Sequence, residues 1–188
     1  MTGYGNRGMT FEDLIKYACE RYRAYGQAVI DKQNTLCKPL RDRTGKIVSA
    51  KYEEKATVDF MGRVGATPIA FEAKHCSVDK VDLKRVKEHQ HDYLQDWTKI
   101  KGPIGFVLVS FKLSAVYLIP WDYWKAAMNA REQKTAGVVM FEPMKTEWRT
   151  TGMASISRDE LPEEWKVKFG GIAGLDYLEV VKRLWQIT

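Results

Sequence analysis

The run Ile104–Phe111 is the longest apolar stretch in the chain. It is far too short to cross a bilayer. A strand with almost no polar face belongs at the centre of a sheet, covered on both sides. The remaining sequence has to supply the rest of that sheet and the helices that cover it.

Those elements can be read from periodicity. Thr10 is a good N-cap with Asp13 three residues on, and Phe11, Leu14, Ile15, Ala18, Tyr22 and Tyr25 recur on one helical face until Gly26 ends it. Residues 28–30 read as a short strand, 57–60 as a second, Gly62 and Gly65 as a turn, and 69–76 as an alternating strand. Residues 79–97 read as the clearest helix, with Leu83, Val86, Gln90, Tyr93, Leu94 and Trp97 on one stripe. Residues 115–119 are a further strand, 121–130 a helix, 138–141 a short edge strand and 175–185 an amphipathic closing helix. The order predicts a mixed α/β domain around one sheet.

With no Ser/Gly/Pro-rich linker and no internal repeat, residues 1–188 are expected to form a single domain. Residues 1–9 read as a flexible arm carrying Arg7. Residues 36–56 are rich in Lys and Arg, lack a strong apolar face and have a turn signal at Thr44-Gly45, so they read as a basic projecting hairpin or loop. The net charge of +6 suits a polyanionic partner, but an ordinary basic protein can carry it too. Cys19, Cys37 and Cys76 have neither the even count nor the close pairing of a disulfide framework or zinc site, and read as free thiols in a reducing compartment. The N-terminus has no apolar core of a signal peptide, so the cytoplasm is the expected location.

The chemistry concentrates at residues 69–74, Ile-Ala-Phe-Glu-Ala-Lys. A period of two puts Glu72 and Lys74 side by side on one face of the strand. The bland reading is a salt bridge at a sheet edge. The same Glu-x-Lys spacing recurs at Glu53, Glu132 and Glu164, but only Glu72 lies in an alternating apolar strand with an acid, Asp59, one hairpin upstream. Two converging carboxylates are what a hard divalent cation such as Mg²⁺ requires. Asp59 and Glu72, with the backbone carbonyl of Ala73, would hold the ion, and Lys74 would orient and help deprotonate the attacking water or stabilise the charged phosphate.

Two further residues are open to more than one reading. Gln90 interrupts an apolar stripe, and a buried amide needs partners, which are either the metal site or a backbone group. Glu12 in the first turn of a helix is favoured by the helix dipole alone, yet it lies at the edge of the buried face, from which it could reach a metal. His89 and His91 point away from the stripe of Gln90 and read as surface or DNA-facing residues.

Several segments together resemble the RecU Holliday junction resolvases of the PD-(D/E)xK nuclease superfamily. They are residues 6–13 (NRGMTFED), 28–30 (AVI), 59–62 (DFMG), 71–74 (FEAK), 88–90 (EHQ), 157–161 (SRDEL) and 175–181 (LDYLEVV). The resemblance implies a restriction-endonuclease-like α/β fold, with a mixed central sheet flanked by helices and a projecting basic stalk. It implies a homodimeric, Mg²⁺-dependent endonuclease, with Mn²⁺ as a substitute, that makes paired cuts in four-way DNA junctions during recombination and repair. A recombinase is a further candidate partner. It places Asp59, Glu72, Lys74, Gln90 and Glu12 in the active site, with Glu12 also a candidate metal ligand, and makes 36–56 the stalk. Arg7, Lys38, Arg41, Arg43 and Lys46 are then the candidate DNA contacts. The short arm and divergent stalk leave two alternatives: another PD-(D/E)xK nuclease, restriction-like or acting on ends, and a DNA-binding module without catalysis.

Overall fold

The computed structural model describes residues 9–34, 36–54 and 56–187; Arg7 and most of the expected arm lie outside them. Helix α1 (Phe11–Ala24) opens on a capping box in which Thr10 Oγ1 accepts from the Asp13 N–H and the Asp13 carboxylate accepts from the Thr10 N–H. Its buried face is Phe11, Leu14, Ile15, Ala18, Cys19 and Tyr22. Tyr25 departs from that face. The helix ends one residue before it, the chain turns through Gly26 at φ +66°, and Tyr25 lies exposed with the Arg21 guanidinium 5.0 Å from its ring.

Strand β1 (Ala28–Lys32) is followed by β2 (Leu36–Arg41), β3 (Ile47–Glu54), β4 (Phe60–Val64), β5 (Thr67–Cys76) and β6 (Lys80–Asp82). Then come α2 (Glu88–Lys99), β7 (Ile104–Phe111), β8 (Ala115–Pro120) and α3 (Trp121–Glu132). The chain closes with β9 (Gly137–Phe141), β10 (Thr146–Thr150), β11 (Ser155–Ser157), β12 (Lys166–Gly170), β13 (Gly174–Asp176) and α4 (Tyr177–Trp185). Seven strands form one sheet in the order β1-β4-β5-β7-β8-β12-β13. Only β5 and β7 are parallel, joined across α2. Every residue of β7 is buried, as its unbroken apolar run requires. The expected mixed sheet flanked by helices is therefore the observed fold.

The two faces of β5 meet different layers. On one, Phe71 stacks between Phe60 and Phe106, with ring centroids 5.0 and 4.6 Å away, and meets Tyr177 of α4 at 5.4 Å. Tyr177 in turn packs edge-on against Tyr22 of α1. The other face turns Glu72 and Lys74 toward Gln90 of α2.

β2 and β3 form a two-stranded sheet of their own, and residues 38–51 are exposed along it. Its tip is built by Asp42, whose carboxylate accepts from the Thr44 N–H (2.8 Å), the Thr44 hydroxyl (2.6 Å) and the Lys46 N–H (3.1 Å). Gly45 takes φ +83° there.

Four expectations need correction. Residues 79–87 are not helical: β6 pairs with β11, and a 3-10 turn over Leu83–Arg85, capped by Asp82, precedes α2. Leu83 and Val86 still point inward, which is why a helical stripe fitted them. Residues 57–59 are a bend, and β4 begins at Phe60. Gly62 lies within β4 rather than in a turn, and a Cβ there would run into the Val29 carbonyl and Ile30 Cα of β1. The strands β10 to β13 carry no long periodic signal, and β13 occupies the first residues assigned to the closing helix.

Candidate active site

The β4–β5 register pairs Phe60 with Phe71. Asp59, the residue before β4, is thereby carried to the flank of Glu72. Two hydrogen bonds fix the pair: the Asp59 N–H donates to Glu72 Oε1 (3.0 Å) and the Ala73 N–H donates to Asp59 Oδ2 (3.0 Å). In a strand the N–H and C=O of one residue point to the same side. The Ala73 carbonyl therefore faces the side on which Asp59 lies, beyond the end of β4 pairing.

Glu72 is wholly buried. Lys74 Nζ donates to Glu72 Oε2 at 2.9 Å, so the salt bridge read from the tripeptide exists, but on an interior strand rather than at a sheet edge. With both carboxylates ionised, Lys74 could offset only one of them. Burial is the main reason the Glu72 carboxyl is pushed up to about 8; the neighbouring Asp59 carboxyl adds to the rise and Lys74 opposes it. A cation placed between the carboxylates would remove that strain.

Gln90 has a backbone partner and lies beside a side chain of β5. Its Oε1 accepts from the Lys87 N–H at 3.0 Å, closing the first turn of α2, and lies 3.4 Å from Lys74 Nζ. The amide at the start of α2 thus adds a second acceptor for the lysine of β5 beside Glu72.

Glu12 is not drawn into this group. Its carboxylate is ion-paired to Lys32 of β1, a partner twenty positions away that leaves no periodic signature in sequence. It borders an open cleft with Phe11, Ala73 and His75. No set of three or more His, Cys, Asp and Glu side chains among the described residues is placed to hold a metal. His91 packs edge-on against Trp121 with ring centroids 5.2 Å apart, and its Nδ1 lies 3.2 Å from Asp92 Oδ1. Lys38, Arg41, Arg43 and Lys46 all lie exposed on the β2–β3 hairpin.

The family model RecU, Recombination protein U, matches residues 6–183. A Holliday junction resolvase RecU of Lactococcus lactis subsp. lactis (strain IL1403) is 30% identical, the match covering 100% of this chain and 82% of the relative. The RecU of Geobacillus sp. (strain WCH70) is 30% identical over 97% of this chain and 86% of its own length. That of Oenococcus oeni (strain ATCC BAA-331 / PSU-1) is 34% identical over 65% and 69%. A solved Holliday junction resolvase of Archaeoglobus fulgidus, Hjc, superposes with a TM-score of 0.34 at 12% identity, over 57% of this chain and 71% of that one. So loose a superposition bears on neither fold nor function.

Proposed function

The chain belongs to the RecU family, and from that membership and the cluster on β5 we propose that it is a metal-dependent endonuclease that resolves four-way DNA junctions. Its reaction centre is Asp59, Glu72 and Lys74. The observation that carries this assignment is the juxtaposition of the buried Glu72 carboxylate with the half-buried Asp59 carboxylate and Lys74 ammonium, the two acids joined through backbone N–H donors.

The donor set fits Mg²⁺, with Mn²⁺ as its substitute. Mg²⁺ is commonly held by one or two carboxylates, with phosphate and water completing the sphere. Asp59 and Glu72 would hold it, together with the carbonyl of Ala73. Glu12, paired with Lys32 and bordering the cleft that Ala73 also lines, is the remaining candidate ligand. A divalent cation bound there supplies Lewis-acid stabilisation of the reacting phosphate.

The chain's own groups do the rest. Asp59 and Glu72 are held by main-chain donors, so their oxygens need little reorganisation to receive a cation. The Lys74 ammonium, fixed between Glu72 and Gln90, is placed to donate to a phosphate oxygen or to orient the attacking water. The β2–β3 hairpin is the stalk that enters the open centre of the junction with Arg41, Arg43 and Lys46. A homodimer supplies the second site for the paired cut, and the cytoplasm is its place of action.

The test is cleavage of a four-way junction, a plain duplex and a single strand, each with and without Mg²⁺. Wild type is expected to cut the junction in symmetric pairs and only with the ion. Asp59→Asn and Lys74→Ala should still bind DNA while cutting at least about 100-fold more slowly, the scale of a lost electrostatic or general-base contribution. Asp59→Asn cleaving at a near-normal rate in Mg²⁺ removes the assigned centre.

A further inference from the structure

Between β5 and α2 lies a segment that the reaction centre does not use. Residues 80–87 read Lys-Val-Asp-Leu-Lys-Arg-Val-Lys. Val81, Leu83 and Val86 are buried, and Lys80, Asp82, Lys84, Arg85 and Lys87 are exposed. Inward hydrophobic residues thus fix four cations on the outer surface of a short stretch.

The segment is pinned at several points. β6 pairs with β11, and the Leu83 N–H donates to the Ala154 carbonyl at 3.1 Å. The Arg85 guanidinium donates to the His75 carbonyl of β5 at 2.6 Å and to Cys76 Sγ at 3.0 Å. At the far end, the Lys87 N–H shares the Gln90 Oε1 acceptor with Lys74 Nζ. The basic surface is therefore tied through Arg85 to the strand that carries Glu72 and Lys74 and through Lys87 to the contact of Lys74.

The nearby acids are already engaged. Asp79 is paired with Lys112 and Arg158, and the Asp82 carboxylate accepts from the Lys84 N–H. Among the described residues no ion pair is made by Lys80, Lys84, Arg85 or Lys87. Glu88 is the one exposed acid that directly follows them in sequence. A pinned row of cations that outnumbers its acids, Asp82 and Glu88, beside the proposed phosphate-cleaving centre matches a row of phosphates, because such contacts fix the register of a duplex without reading its bases.

We propose that residues 80–87 form a ledge that binds the backbone of a duplex arm through Lys84 and Lys87 and sets the phosphate presented to Lys74. The proposal rests on the nuclease reading above. It separates two tasks: the ledge holds any duplex arm, and the β2–β3 hairpin distinguishes a junction from plain duplex.

The experiment uses the full chain in chelator, with a labelled duplex and a labelled four-way junction titrated across a range of salt. For Lys84→Ala/Lys87→Ala, affinity for both DNAs should fall together, on the order of tenfold, and the slope of log K against log salt should become shallower by about two. Lys84→Arg/Lys87→Arg should restore both quantities. Both pairs lie on the surface, and thermal melts matching wild type establish that the fold is intact. Wild-type affinity and slope in the alanine variant, while wild type binds and cuts DNA, overturn the ledge and leave the nuclease standing. A loss confined to the junction also overturns it, since a platform for duplex arms cannot spare plain duplex. Wild type that binds neither DNA overturns both readings.

Discussion

Glu72 places a carboxylate where water does not reach, and its environment decides how the protein responds to pH. The carboxyl is raised from 4.5 to about 8, chiefly by burial and then by Asp59. A carboxyl raised on folding contributes stability that is fully present below its unfolded value and is lost as pH climbs through the folded one. The metal-free fold should therefore lose stability from this group between about pH 4.5 and about pH 8. Glu72→Gln, which never ionises, should escape that loss. In chelator, its melting temperature relative to wild type should rise between about pH 6 and about pH 9, each kcal/mol appearing as about 2–4 °C in a chain of this size. Mg²⁺ at the higher pH should narrow the difference, because an ion held by ionised Glu72 stabilises only the wild type. Parallel melting curves for the two proteins across that range would show that Glu72 does not titrate there.

At the scale of elements, legibility followed the range of the physical signal. α1 and β7 could be read because a capping box and an unbroken apolar run are local and strong. The true start of α2 could not, because Leu83 and Val86 face inward from a 3-10 turn and its C-cap at a spacing a helix also satisfies. Asp59 and Glu72 could be paired from sequence because one tight hairpin separates them, whereas the Glu12–Lys32 pair joins a helix to a strand across the fold and leaves no local trace. The β2–β3 hairpin is the element whose role is easiest to isolate, since among the described residues it pairs with no other strand. Arg41→Ala/Arg43→Ala/Lys46→Ala should leave the melting temperature close to wild type, although Arg41 also donates to the Gly45 carbonyl at the tip (2.8 Å). The same variant should weaken junction binding, lower its salt slope by up to about three, and reduce the preference over duplex. An unchanged junction-to-duplex affinity ratio across a salt titration would move the discrimination off this hairpin.

For the whole molecule, the constraint is that a four-way junction offers two equivalent strands while the proposed reaction centre can cut one at a time. A two-fold dimer presents two copies of one site in the symmetry the substrate itself has. The protein should therefore sediment as a dimer at micromolar concentration, and its two sites should act on one junction. Mixing makes the second statement testable. In the presence of excess Asp59→Asn, most wild-type subunits will sit beside a partner that binds DNA and does not cut. Junctions should then be nicked in one strand and accumulate in that form, because the opposing strand faces the inactive site. If the mixture yields only paired cuts, diminished in proportion to the wild type added, both incisions come from one subunit and the dimer is not the cutting unit. A protein that is wholly monomeric at micromolar concentration yet resolves junctions at full rate would lead to the same conclusion, and the second incision would then require the single site to release and rebind the junction.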